Sequence, residues 1–223
     1  MEKDQVKSKE RVRDHGEVFT NEREVNAMLD LVKEETENIE STFLEPACGD
    51  GNFLAEILRR KLNIVKERYY HQLDNYEMYS ISAIASIYGV DILQDNVNDC
   101  IERLYDIWLQ EYIKVMKKNE DQRVKQACHY ILTKNILCGD ALTMLKNDGT
   151  PIVFAEWKFG TGTMIKRRDY ELSKILETEQ ITNTEEFNLF TFDDDINQGV
   201  RDSLDKPIKE YPLVDYREVV KYE

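Results

Sequence analysis

Residues 45–53, Glu-Pro-Ala-Cys-Gly-Asp-Gly-Asn-Phe, gather an acid, two closely spaced glycines and an amide within nine positions. Glycine lets a backbone approach a ligand closely, and a helix that starts there turns its N–H groups toward a bound anion. Two further acids end short apolar runs: Asp91 in Gly89-Val90-Asp91-Ile92, and Asp140 in Ile136-Leu137-Cys138-Gly139-Asp140-Ala141-Leu142. A carboxylate only accepts hydrogen bonds, which suits Asp91 to the two hydroxyls of a ribose, with Ile92 covering one face of a base. Asp140, followed by Ala141, suits an exocyclic amine of adenine, and Gly49 and Gly51 suit the tail of the same molecule. Each piece also has a structural use. Asp91 can cap the helix that starts near Gln94, Asp140 can cap a short helix, and the glycines can form an ordinary tight turn. All three in this order point to a nucleoside-like cofactor.

The elements that must position these residues follow from hydrophobic periodicity. Residues 42–45 read as a strand and 52–62 as the helix after the glycine turn. The aromatic-rich segment 63–88 becomes helical from Asn75, and 89–92 is the second strand. Helices are expected at about 95–118 and 121–134, and a third strand at 136–138. Before the first strand, Asn21 and Glu24 resemble a capping box for an amphipathic helix over 22–37. Residues 151–155 read as a fourth strand, 163–170 as another, 171–178 as a short helix and 187–192 as an alternating strand. In a parallel sheet the first three strand ends share one edge, where cofactors bind. The expected fold is α/β, a Rossmann-like, mostly parallel sheet with helices on both faces.

Composition narrows the class. The chain has 223 residues and a formal net charge of −14; residues 169–223 alone carry 15 acids against 6 Lys or Arg. A domain that holds nucleic acid by itself usually presents a basic surface, so DNA contact is expected only through a partner. Lys166-Arg167-Arg168 is the clearest candidate for a basic patch, read as a solvated strand edge or turn, a phosphate contact or a contact with an acidic partner. No run of 18 apolar residues suggests a membrane span, and the charged Met1-Glu2-Lys3-Asp4 start does not resemble a secretory signal, so a cytoplasmic location is expected. Cys48, Cys100, Cys128 and Cys138 lack metal-ligand spacing and are expected to be small buried hydrophobes, with no metal site.

Among cofactors, a dinucleotide is a poor fit. Gly49-Asp50-Gly51 lacks the third glycine at Leu54, and Asp91 comes 40 residues after Gly51 instead of about 20. No Gly-Lys-Ser/Thr run cradles a nucleotide phosphate. S-adenosylmethionine fits better, because it has an adenosine, a carboxylate and an amine, and no phosphate.

On these residues the chain resembles the adenine-specific DNA methyltransferases of restriction–modification systems, whose modification subunits carry Asp-Pro-Ala-Cys-Gly-Ser-Gly-x-Phe. Here that motif stands as Glu45-Pro46-Ala47-Cys48-Gly49-Asp50-Gly51-Asn52-Phe53. The resemblance covers about residues 12–155. It implies that Glu45 and the loop, including Ala47, Asn52 and Phe53, hold the methionine end of the cofactor. It also implies that the segment His15 to Thr20 closes over the cofactor, with Phe19 and Thr20 matching the family's Phe-Thr and Asn21 replacing its proline.

The family's catalytic motif, Asn or Asp-Pro-Pro-Tyr or Phe after strand four, is missing. That motif accepts the hydrogens of the adenine amine and stacks on the flipped base. The four prolines, Pro46, Pro151, Pro207 and Pro212, are nowhere adjacent. At the corresponding position stands Phe154-Ala155-Glu156-Trp157-Lys158-Phe159, where Glu156 could hold the amine and Trp157 could stack, or the two could be a solvated acid and a core or rim aromatic, or a contact with a partner subunit.

Two readings follow. The first is a DNA adenine-N6 methyltransferase whose sequence specificity comes from a protein partner. The second is a catalytically inactive, cofactor-binding accessory protein acting on a restriction–modification or other DNA-processing complex. The expected organisation is an N-terminal segment over 1–20 reaching the cofactor site, a methyltransferase-like domain over 21–192, and an acidic extension over 193–223 completing the sheet.

Overall fold

A computed structural model describes residues 10, 11, 13, 20–175 and 206–222. Helix α1 spans Glu22–Leu29, and the Asn21 side chain caps it by accepting the Glu24 N–H at 3.0 Å. The helix expected to reach residue 37 is interrupted. A 3-10 turn covers Asp30–Val32, and helix α2 covers only Lys33–Thr36. Arg60 donates to Asn26 Oδ1 and Asp30 Oδ1 across this break, at 3.1 and 2.8 Å, and ties it to the next long helix.

Strand β1 is Phe43–Glu45. Helices α3 (Asn52–Tyr69) and α4 (Leu73–Ala85) lead to β2 (Ile87–Asp91). Helices α5 (Gln94–Met116) and α6 (Gln122–Asn135) lead to β3 (Ile136–Cys138). The three strands form one parallel sheet in the order β1-β2-β3. Glu45 lies beside Gly89, and Asp91 beside Cys138. The three strand ends therefore share one edge, as expected.

The long helices lie on one face, while residues 172–175, helical as expected for 171–178, set Leu172 and Ile175 against the other. With strands added in the order one, two, three, right-handed crossovers carry every connecting helix to the same side. The main core accordingly joins Phe43 and Ile87 to Leu58 of α3, Ile84 of α4, Leu104 and Trp108 of α5, and Ile131 of α6. The opposite face presents Leu44 and Val90, which pack with Ile152, Phe154 and Leu172 in a smaller cluster.

The expected fourth strand also departs from the central sheet. Strand β4 (Val153–Phe159) pairs antiparallel with β5 (Met164–Glu171), and β6 (Lys209–Glu210) and β7 (Val214–Asp215) both pair with β5. A short loop, with Gly162 at φ 68°, joins β4 to β5. Pairing across so short a loop needs little closure entropy. The chain is thus mixed α/β, with a parallel three-stranded sheet and a separate antiparallel sheet. The described part of the acidic extension completes the antiparallel sheet, not the parallel one. The strand expected at 187–192 lies outside the described residues.

Buried polar groups fasten the two layers. Trp157 Nε1 donates to Asn135 Oδ1 at 2.8 Å, while Asn135 Nδ2 donates to the carbonyls of Ala85 and Ile87. Glu77, buried in α4, accepts from Tyr112 and Tyr216, both at 2.8 Å, and pairs with Arg217. These bonds dock the closing 3-10 helix, Tyr216–Tyr222, onto the helical layer. Among the described residues no helix is long and apolar enough to cross a membrane.

Lys61 is the least expected core residue, fully buried in α3. Its Nζ donates to the carbonyls of Ile39 and Ser41 and to Ser86 Oγ, joining α3 to the approach to β1 and the end of α4. Burial pushes the ammonium down from 10.5 to about 7. An unfolded lysine keeps its proton to about pH 10.4. Between these values the unfolded chain binds the extra proton, so this group makes stability rise with pH. Urea denaturation should show wild type gaining on Lys61→Met by on the order of a few kcal/mol between pH 7 and 9.5. A pH-independent difference would contradict the depressed value.

Candidate functional site

The sheet edge collects the chemistry that the sequence singled out. After Glu45 the chain turns through Gly49, at φ 52°, and Gly51, at φ 82°, into α3. Gly51 is required twice over. Its φ lies in the left-handed region, and an added Cβ would stand 2.6 Å from Cys100 Sγ. The Cys48 N–H donates to the Val90 carbonyl at 2.9 Å, and the Gly51 N–H to the Cys48 carbonyl at 2.8 Å, so the turn is pinned to β2. The first-turn amides of the 18-residue helix α3 have no acceptor within the helix.

Asp91 organises this edge. Its Oδ2 accepts the Gly49 N–H at 3.0 Å, and its Oδ1 accepts the Leu93 N–H at 2.9 Å and Asn96 Nδ2 at 3.2 Å. Asp91 does not cap α5, whose N-cap is Leu93 with no side-chain cap bond; its carboxylate instead holds the glycine turn and the residue that leads into the helix. Of about four lone-pair positions on a carboxylate, three are occupied. Asp140 Oδ1 accepts the Leu142 N–H at 2.9 Å, in a local turn. The Gly139 N–H donates to the Asp91 carbonyl at 2.9 Å, which keeps the ends of β2 and β3 together. Ile92 is 42% exposed beside them, and Ala141 is half-buried against the smaller core cluster.

Glu45 stands apart. Its Oε2 is buried and has no hydrogen-bond partner. Burial, then the charges of Asp91 and Asp50, push its carboxyl up from 4.5 to about 8. Asp50, itself buried, is gripped by Arg103 of α5, whose guanidinium reaches Oδ1 at 3.1 Å and Oδ2 at 2.5 Å. The same group donates to Asn52 Oδ1 at 2.6 Å. Asn52 Nδ2 in turn donates to the Thr20 carbonyl at 3.1 Å, which brings the N-terminal side of the chain to the loop. Arg11 bonds Asp95 and Asn96 at the start of α5, and Asn96 in turn donates to Asp91. Phe19 lies outside the described residues. Ala47 is exposed in the loop, and Phe53 packs partly against the core.

Sequence reasoning missed Asn96, which bonds Asp91 locally, and also Arg103 and Arg11, which act across long stretches of chain. The available signal was Asp50, an acid within a motif whose usual residue there is serine. An acid buried in such a turn needs a compensating cation.

Glu156 and Trp157 are not brought together. As neighbours in β4 they leave opposite faces of the strand. Trp157 is 8% exposed, its indole N–H satisfied by Asn135 and its ring edge-on to Tyr130. It offers no open face to a base. Glu156 lies 3.8 Å from Lys158 and 3.9 Å from Arg168, within a cross-strand charge group. The basic run is similarly engaged. Lys166 and Arg168 pair with Glu210, and buried Arg167 pairs with Asp169 and donates to Tyr130 Oη. All four cysteines are free, with Cys48, Cys100 and Cys128 buried. Among the described residues no three His, Cys, Asp or Glu gather as metal ligands.

No family model, no curated protein and no solved structure matches this chain.

A carboxyl raised to about 8 contributes stability that is complete below pH 4.5 and is lost as pH rises through 8. The free protein should therefore lose melting temperature from pH 5 to 8 more steeply than Glu45→Gln. Parallel curves for the two proteins would show that Glu45 is not forced toward its protonated form.

Proposed function

We propose that this chain binds S-adenosylmethionine at the open edge of its parallel sheet, as a DNA adenine-N6 methyltransferase-like protein that takes its DNA specificity from a partner. The observation that carries the cofactor reading is the buried, unpartnered Glu45 oxygen beside Asp91 and Asp50. Such a group calls for a cationic ligand, because an isolated buried carboxylate is costly and a cation beside it is stabilising. The residues fit the cofactor end to end. Glu45 suits its ammonium group, and the unsatisfied amides at the start of α3 suit its carboxylate. The remaining acceptor position of Asp91 suits a ribose hydroxyl, Ile92 a face of the base, and Asp140 the adenine amine. The parallel order β1-β2-β3 supports a Rossmann-like methyltransferase sheet. The bound cofactor would supply an electrophilic methyl group, while this chain's residues would bind and orient it.

A second reading is favoured by the burial of Trp157 and the lack of any Pro-Pro pair. In it the chain binds the cofactor without transferring the methyl group, as an accessory to a DNA-processing complex. Amine alignment is demanding, and small misplacements remove much of the rate.

Calorimetry with the purified protein tests the binding reading. A cation at Glu45 favours the carboxylate, so uptake of the cofactor near pH 7 should release a proton. The release is read from the dependence of heat on buffer ionisation enthalpy, and it should vanish in Glu45→Gln. Asp91→Ala should weaken binding by about 1.5–3 kcal/mol. No heat with either S-adenosylmethionine or its demethylated product would sink the reading.

Transfer of a labelled methyl group to mixed-sequence DNA, with and without proteins co-purified from the host, separates enzyme from accessory. Label on adenine N6 supports the enzyme. Cofactor binding with no label under any condition supports the accessory.

A further inference from the structure

Arg103 carries a role that neither the glycine turn nor the three sheet acids explain. It sits on α5, 53 residues from Asp50, yet it makes a two-pronged contact with that carboxylate and a third bond to Asn52. Both targets belong to the turn that delivers Gly49 and Gly51 to the edge. Its side chain is 22% exposed and that of Asp50 only 7%, so water screens the pair weakly. Asp50 and Asp91 both act electrostatically on Glu45. With Arg103 in place, the Asp50 charge is offset at close range. Removing Arg103 leaves the edge one unit more negative, and removing the Asp50 charge leaves it one unit more positive.

Resting on the proposed cofactor reading, we infer that Arg103 is a positioning and specificity-determining residue: through Asp50 and Asn52 it fixes the glycine turn, and by offsetting Asp50 it sets how strongly the site prefers a sulfonium ligand over the neutral thioether. The two ligands form a natural pair of probes. S-adenosylmethionine carries the sulfonium charge, and its demethylated product has nearly the same shape without it. A loosened turn weakens both alike. A changed site charge alters their ratio.

The test measures Kd for both ligands in wild type, Arg103→Met, Asp50→Asn and the double variant. All four proteins are measured at the same pH and salt, with thermal melting of each. Arg103→Met should bind both ligands at least about tenfold more weakly. Its preference for the sulfonium should rise about fivefold, the size of one unit charge acting through a partly screened site. Asp50→Asn should move the preference the opposite way, and the double variant should return it close to wild type. Should Arg103→Met fail to fold, the fall in preference in Asp50→Asn carries the test.

An unchanged ratio in the folded variants, whatever the loss of affinity, overturns the specificity role and leaves Arg103 a structural clamp. Wild type that binds neither ligand instead overturns the cofactor reading on which the inference rests.

Discussion

The Asp91 carboxylate is the junction on which the edge of the parallel sheet depends. One side chain accepts from the Gly49 amide of the turn after β1, from the Leu93 amide where β2 ends, and from Asn96 in the first turn of α5. The turn after β1 is thereby tied to the junction of β2 and α5, 42 residues along the chain. Hydrogen bonds to an ionised acceptor are stronger than neutral ones and shorter. Here they fix the turn in a conformation that Gly49 and Gly51 alone can reach but would not alone maintain. Arg103 performs the matching task from α5, gripping Asp50 and Asn52 on the far side of the same turn.

Around that edge the fold is organised by the direction in which strands are added. Because β1, β2 and β3 follow one another across the sheet, all four long helices pack on one face and build a single apolar core there. The other face receives the chain between Met144 and Phe154, and the smaller cluster around Leu44 and Val90. The antiparallel sheet then attaches to α6 through its inner side chains. Trp157 and Arg167 both end on polar partners, so their burial leaves no orphaned hydrogen-bonding group. Consequently the aromatic that a methyltransferase reading places against a base serves here as an anchor between layers.

The electrostatic character of the chain is split. Its overall charge of −14 disfavours solitary contact with nucleic acid. Locally, the same excess of acid becomes specific where Glu45, Asp50 and Asp91 converge. Two of those acids are compensated within the fold, Asp50 by a guanidinium and Asp91 by three N–H donors. The third, Glu45, has a buried oxygen with no partner. An isolated buried carboxylate is costly, which is why burial and the neighbouring acids push this carboxyl toward its protonated form.

The sequence by itself determined the local pieces. It located the three parallel strands to within two residues, the Asn21 cap, the glycine turn, and the acids at Glu45, Asp91 and Asp140. These are legible because strand and helix periodicity, capping and positive-φ glycines are short-range constraints, satisfied within a few residues. The tertiary structure alone decided what lies across long separations. It chose the partner of β4, since Val153–Phe159 is a sound strand with either neighbour and only the nearby β5 offered a short loop. It placed every long helix on one face. It paired Asp50 with Arg103 and Asn135 with Trp157, choices that depend on which helix faces which strand and not on any local pattern. It also separated Glu156 from Trp157, since adjacent residues in an extended chain point to opposite sides once one face of the strand is buried.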